Sequence, residues 1–132
     1  MSEQRMPAHG TFCWNELSTN NVEAAKNFYT GLLGWTLHDS KSAGMNYIEI
    51  EAAGQRIGGM YQQSPETGGP MPPNWMAYVA VDDVDAAVAR VADLGGQVRF
   101  GPMDIPNVGR FAVISDPAGA VFSIITLSSP RH

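Results

Sequence analysis

Apolar residues recur along this chain with two periods, one near 3.6 and one of 2, and the two alternate in a fixed order. Val22, Ala25, Phe28, Tyr29 and Leu32 lie on one helical face and predict a helix from about Asn21 to Leu33. Ser18-Thr19-Asn20-Asn21 ahead of it offers side-chain oxygens to the unpaired N–H groups of a first turn, and Gly34 is the stop. A second helix is predicted over Val84–Leu94, with Val84, Val88, Val91 and Leu94 inward and Gly95-Gly96 behind it. Strand-like stretches surround both helices. Residues 11–17 precede the first, and Trp35–Asp39, Met45–Glu51 and Arg56–Gln62 follow it. Trp75–Val81 precedes the second, and 97–105, 109–115 and 120–127 follow. Ala53-Gly54-Gln55 and Asp116-Pro117-Ala118-Gly119 supply the last turn of each set.

The residues repeat along with the pattern. Val22-Glu23-Ala24-Ala25 returns 62 positions later as Val84-Asp85-Ala86-Ala87. Asn20-Asn21 becomes Asp82-Asp83, and Leu32 and Gly34 reappear as Leu94 and Gly96. A repeat of this length means two structural modules, 10–62 and 74–127, each βαβββ. Between them, 63–73 holds four prolines and two glycines and reads as a linker, since neither a ladder nor a helix tolerates that composition. A lone module leaves a sheet face and its edges open, so two are expected to pair. The expected fold is α+β: one domain in which eight strands form an open curved barrel, a cup with the helices outside.

Composition narrows the function. With 132 residues, 44% of them apolar and 16% charged, the chain has the material for one packed core. A net charge of -5 with eight scattered Lys and Arg disfavours nucleic acid. Cys13 is the single cysteine, so no intrachain disulfide or thiolate metal cluster is possible. The polar start, Met1 to Pro7, lacks an apolar signal core, and no apolar run nears the ~20 residues of a membrane span. The expected setting is the cytoplasm, without membrane contact.

Val22-Glu23-Ala24-Ala25-Lys26-Asn27-Phe28-Tyr29 with Leu33-Gly34-Trp35, Val81-Asp82-Asp83-Val84-Asp85-Ala86-Ala87, and Asp116-Pro117-Ala118-Gly119 together resemble the vicinal oxygen chelate superfamily. That superfamily comprises glyoxalase I, extradiol dioxygenases, and fosfomycin- and bleomycin-resistance proteins. The resemblance covers about residues 10–127, and Cys13-Trp14-Asn15-Glu16-Leu17 is similar to a glyoxalase-like branch that often lacks metal ligands. It implies a cup that binds a metal and a small substrate, with imidazoles and carboxylates from the first and last strands of each module as ligands. In this chain the implied fifth-strand position, five residues before Val81, is Met76, and the eighth-strand one, seven after Asp116, is Ser123. The first strand offers Phe12-Cys13-Trp14 and the fourth Gly58-Gly59-Met60-Tyr61, with neither imidazole nor carboxylate. The expectation is therefore no catalytic metal and no other cofactor. His9 and His38 would serve a metal only in a displaced site, and His132 is terminal.

Strand alternation assigns the cup. With Leu17, Ile48, Ile50, Val79, Val81, Phe122 and Ile124 toward the helices, Trp14, Glu16, Tyr47, Glu49, Met76, Tyr78, Phe111 and Ser123 face the cavity; Met60 is expected there too. Residues of the kind of Trp14, Met60 and Met76 are more often plain core than ligand platform. Glu16 stands out, because a covered carboxylate is costly without a partner; it is the candidate catalytic residue, as a polar anchor or proton acceptor. Three functions follow. The leading one is metal-independent binding of a small aromatic or hydrophobic molecule. The second is a glyoxalase-type lyase or isomerase in which Glu16 does acid–base work with Tyr78 or Tyr47. The third is a structural or interaction protein with a filled cup. A homodimer is expected from exposed module edges.

Overall fold

In the computed structural model, which describes residues 6–42, 45–65 and 71–128, each apolar period becomes the element it predicts. The elements are β1 (Phe12–Thr19), α1 (Val22–Leu33), β2 (Thr36–Ser42), β3 (Met45–Ala52) and β4 (Gln55–Gln62). The second copy is β5 (Asn74–Ala80), α2 (Val84–Val91), β6 (Gln97–Ile105), β7 (Gly109–Ser115) and β8 (Val121–Leu127). Linker residues 66–70 and His132 lie outside the described residues. Among the described residues no helix is long and apolar enough to cross a membrane.

The polar pair of the repeat opens each helix. Asn21 Oδ1 accepts the Ala24 N–H at 3.0 Å, and Asp83 Oδ1 accepts the Ala86 N–H at 3.2 Å. Gly34, at φ 71°, closes α1 with its N–H on the Thr30 carbonyl. The second helix stops short of its predicted end. Gly96 N–H returns to the Val91 carbonyl at 3.0 Å, so the chain turns before Leu94 can join the apolar face, and Leu94 stays exposed.

The chain divides into two compact units: Trp14–Met76, and the residues through Cys13 together with those from Ala77 onward. Within the first the strands run β2-β3-β4-β1, with β1 parallel to β4 and the other neighbours antiparallel. Within the second they run β6-β7-β8-β5, with β5 parallel to β8. Each module thus has the same internal order. The lead-in to β1 belongs with the second unit, where Gly10 N–H reaches the Ala80 carbonyl at 2.7 Å and Ala80 N–H reaches Thr11 at 2.8 Å.

Each module has its own core. Leu17, Ile48, Ile50 and Met60 pack beneath Val22, Ala25 and Tyr29 of α1, with Trp35 and Leu37 alongside. Val84 and Val91 of α2 pack on Ala112, Ile114 and Ile124, with Val79, Val81, Ala87, Val88 and Phe122 around them. Each fully covered aliphatic side chain stabilises by about 1.5–3 kcal/mol. The apolar face expected of α1 is only partly used. Phe28 is 58% exposed and Leu32 64%. At 3.6 residues per turn Phe28 sits to the side of the Val22–Ala25–Tyr29 stripe, and Leu32 lies in the last turn.

Candidate functional site

In the first module the sheet face turned from α1 is polar. β1 directs Trp14 and Glu16 opposite Leu17, and β3 directs Tyr47, Glu49 and Glu51 opposite Ile48 and Ile50. Gly59 pairs with Glu16 on β1 and with Glu49 on β3, and a Cβ there would overlap the Tyr47 phenol. The missing side chain is what lets Tyr47 lie across β4 toward β1. Trp14 Nε1 donates to the Tyr47 hydroxyl at 2.9 Å, and that hydroxyl donates to Glu16 Oε2 at 2.7 Å. Trp14 and Tyr47 are buried and Glu16 is half-buried. A hydrogen bond to a charged group in such surroundings contributes about 1.5–3 kcal/mol. The chain Trp14–Tyr47–Glu16 therefore fixes the carboxylate in one orientation.

Tyr61 stands on the same face, its ring stacked near Tyr47 with centroids 6.5 Å apart and planes 21° apart. Burial, above all, raises its pKa from the ordinary tyrosine value of 10.0; a hydrogen bond with Ser18 opposes this, and the Glu16 charge adds to it. Tyr61 is thus a proton-bearing hydroxyl at neutral pH. Farther out, Arg56 Nη1 meets Glu49 Oε1 at 2.6 Å, and His38 Nε2 meets Glu51 Oε1 at 2.6 Å. A register shift between Ile50 and Glu51 brings Arg56 opposite Glu51, its Nε 3.9 Å from Oε1. Glu49 is therefore charge-compensated, not a bare rim carboxylate.

The corresponding face of the second module is aromatic. Tyr78 and Phe111 have ring centroids 6.5 Å apart, and Phe111 and Phe100 5.9 Å. Ser123 pairs in register with Tyr78 on β5 and with Val113 on β7. Its hydroxyl is fully buried and has no hydrogen-bond partner among the described residues.

One predicted site residue is on the wrong face. Met60 is fully buried in the helix-side core with Leu17 and Ile48, its register partners. Register through the Ala53-Gly54 turn sets that parity, and it brings Tyr61 to the site face in place of Met60. Alternation from Ile48 would have found Tyr61, but only with the β3–β4 register in hand. Met76 is half-buried on the same side of β5 as Tyr78. Among the remaining candidates, hydrogen bonds join Trp14, Glu16 and Tyr47, and Tyr78, Phe111 and Ser123 share the second module's face.

The four positions where the superfamily resemblance places metal ligands do not make a donor set for a divalent ion. They offer Phe12-Cys13-Trp14 on β1, Gly58-Gly59-Met60-Tyr61 on β4, a thioether at Met76 and a hydroxyl at Ser123, with neither imidazole nor carboxylate. Divalent ions of this kind are held by imidazole and carboxylate. Among the described residues, no three His, Cys, Asp or Glu side chains converge. His9, the candidate for a displaced ligand, accepts the Asp82 N–H with Nδ1 at 2.9 Å at the exposed lead-in to β1.

Comparison with known proteins agrees with the topology. The chain is 47% identical over 118 residues to a putative glyoxylase, CFP32, of Mycobacterium tuberculosis, covering 88% of this chain and 44% of that protein. It is 36% identical over 129 residues to the anthracycline biosynthesis protein DnrV of Streptomyces peucetius, covering 89% and 47%. The chain spans about half the length of these curated relatives. Among solved structures, a methylmalonyl-CoA epimerase of Mycobacterium tuberculosis superposes with TM-score 0.61 at 16% identity, covering 90% of this chain and 88% of that one. A homoprotocatechuate 2,3-dioxygenase of Brevibacterium fuscum gives 0.65 at 17%, covering 98% and 40%. These two share the fold. A family model described as Glyoxalase/Bleomycin resistance protein/Dioxygenase superfamily matches residues 11–124, and the chain belongs to that superfamily.

Proposed function

We propose that this protein binds a small organic molecule without help from a divalent metal, using Glu16 and Tyr47 as its polar anchor. The observation that carries the reading is the hydrogen-bonded chain from Trp14 Nε1 through the Tyr47 hydroxyl to Glu16 Oε2. It holds a half-buried carboxylate in place on a sheet face that no helix of its own module covers. Trp14, Tyr47 and Tyr61 set aromatic surface beside that anchor on the same face, which suits a small hydrophobic or aromatic ligand. A relative named for anthracycline biosynthesis is compatible with a ligand of that kind. The test is metal stoichiometry after exposure to Zn, Ni, Mn and Fe, alongside ligand recovery from protein purified without chelator. Organic ligand with sub-stoichiometric metal supports the proposal; tight binding of one metal per chain overturns it.

A second reading is favoured by the 2.7 Å contact between Tyr47 and Glu16. A carboxylate beside a phenolic hydroxyl can take a proton from a carbon next to a carbonyl while the phenol returns one, the work of a lyase or isomerase. The relative named a putative glyoxylase makes that class worth assaying. Turnover of an identified substrate should fall at least about a hundredfold in Glu16→Gln; full turnover would remove the assignment. The chain is also proposed to pair with a second copy, because Phe28, Leu32 and Leu33 leave an apolar strip exposed on α1. Light scattering should give twice the chain mass, and a monomer at all concentrations would refute pairing.

A further inference from the structure

The other face of the first module's sheet, the one that carries α1, has a cleft that none of this chemistry uses. Its volume is about 260 Å³, and Asn15, Trp35, Ile50, Ile57, Gly58 and Trp75 line it. Asn15 alternates with Trp14 and Glu16 along β1, and Ile50 belongs to the helix-side core, so the cleft and the Glu16 site lie on opposite faces.

Two tryptophans wall the cleft, with centroids 6.0 Å apart and planes at 83°. Tyr29 holds both. Its ring stacks on Trp35 at 5.3 Å and 16°, meets Trp75 edge-on at 5.5 Å, and its hydroxyl accepts Trp75 Nε1–H at 3.2 Å. Rings fixed in this way lose little freedom when a ligand arrives. Trp75 is nevertheless 41% exposed and Ile57 38%. Asn15 is exposed, and its side-chain amide has no partner among the described residues. A side chain at Gly58 would overlap the Asn15 carbonyl oxygen, so the floor between them stays bare.

The geometry points to a second binding site, for a flat one- or two-ring aromatic molecule that carries an amide edge. A flat ring laid on one indole presents its edge to the other, the two arrangements that aromatic pairs prefer. The Asn15 amide both donates and accepts, which is the complement of another amide. Ile50 and Ile57 close the apolar sides. The volume lies just below the ~300–1,000 Å³ of pockets for drug-sized ligands, which sets the size limit at one or two rings.

Benzamide is the probe. Titrated into the full chain, it should quench tryptophan fluorescence saturably, and cyclohexanecarboxamide, which is not flat, should bind about tenfold more weakly. Trp75→Leu, at an exposed position, should weaken benzamide about tenfold, and Asn15→Leu several-fold, with circular dichroism unchanged. Glu16→Gln should leave it unaltered, which separates this site from the anchor on the opposite face. An absence of saturation, equal binding of the two amides, or loss of binding in Glu16→Gln but not in Trp75→Leu would overturn the proposal.

Discussion

In the first module Glu16, Glu49 and Glu51 share one sheet face with Arg56, His38 and two tyrosines, whereas the corresponding face of the second carries Tyr78, Phe100 and Phe111 around one hydroxyl, Ser123. The faces toward the helices differ much less. Both are mostly aliphatic, both take alternate residues of their module's third strand (Ile48 and Ile50, Ala112 and Ile114), and both lie under a helix capped by the repeat's polar pair. The contrast is sharpest at equivalent positions. Glu16 and Tyr78 stand 62 positions apart, like the helix starts, and their parallel-strand partners are Gly59 and Ser123. A helix lying on a sheet leaves little choice at core positions, because a change of one methylene is felt. The faces turned from the helices are under no such constraint, and it is there that the duplicates have diverged.

The largest effects should therefore be alike in the two modules. Met60→Ala and Ile124→Ala each remove a side chain buried in one helix-side core and should each cost about 2–5 kcal/mol in urea unfolding. A Met60→Ala protein that keeps its stability while losing ligand would put Met60 back on the site face. Gly59→Ala comes next. The added Cβ must displace Tyr47, so about 1–3 kcal/mol of stability should go together with the Trp14–Tyr47–Glu16 chain. The matching change in the second module, Ser123→Ala, should move the other way. It removes a buried hydroxyl with no partner among the described residues and should stabilise the unliganded protein by about 1 kcal/mol. Tyr47→Phe, by contrast, removes the hydroxyl that accepts from Trp14 and donates to Glu16, and should cost about 1–2 kcal/mol. Equal signs for Ser123→Ala and Tyr47→Phe would erase the proposed contrast between a satisfied polar face and an unsatisfied apolar one.

The elements, caps and helix-side cores were legible in the sequence because short-range periodicity and the internal repeat carry them. Ile48, Ile50, Val79, Phe122 and Ile124 needed nothing more than alternation. Glu16 was legible as an anomaly, a carboxylate on a strand that should be covered. Its partner was not, since Tyr47 lies 31 positions away and reaches it only because Gly59, on the intervening strand, has no side chain. Met60 and Tyr61 exchanged faces for a related reason: parity on β4 depends on the β3–β4 register, which neighbouring residues do not reveal. The His38–Glu51 pair depends on the β2–β3 pairing, and the Arg56–Glu49 pair on the β3–β4 pairing and its shift at Ile50. The apolar face of α1 was overread because Phe28 and Leu32 are apolar yet lie beyond what the sheet covers.

The smallest expected effect tests whether the polar face acts as one electrostatic unit. Tyr61 has its pKa raised chiefly by burial, with the Glu16 charge adding to the shift and Ser18 reducing it. In the folded protein it therefore holds its proton more tightly than an unfolded chain does. The sign follows by linkage. This group's contribution to stability is fully present below the ordinary tyrosine value of 10.0 and is lost as pH rises through the higher folded value. Stability should accordingly fall on the alkaline side of that value, and Tyr61→Phe should remove this part of the fall while changing little at neutral pH. Glu16→Gln should bring the Tyr61 titration, followed by its phenolate absorbance, part of the way back, because only the charge contribution disappears and burial remains. A Glu16→Gln protein in which Tyr61 titrates as before would mean that the carboxylate does not act on it through space, and that the polar residues of this face are neighbours without being coupled.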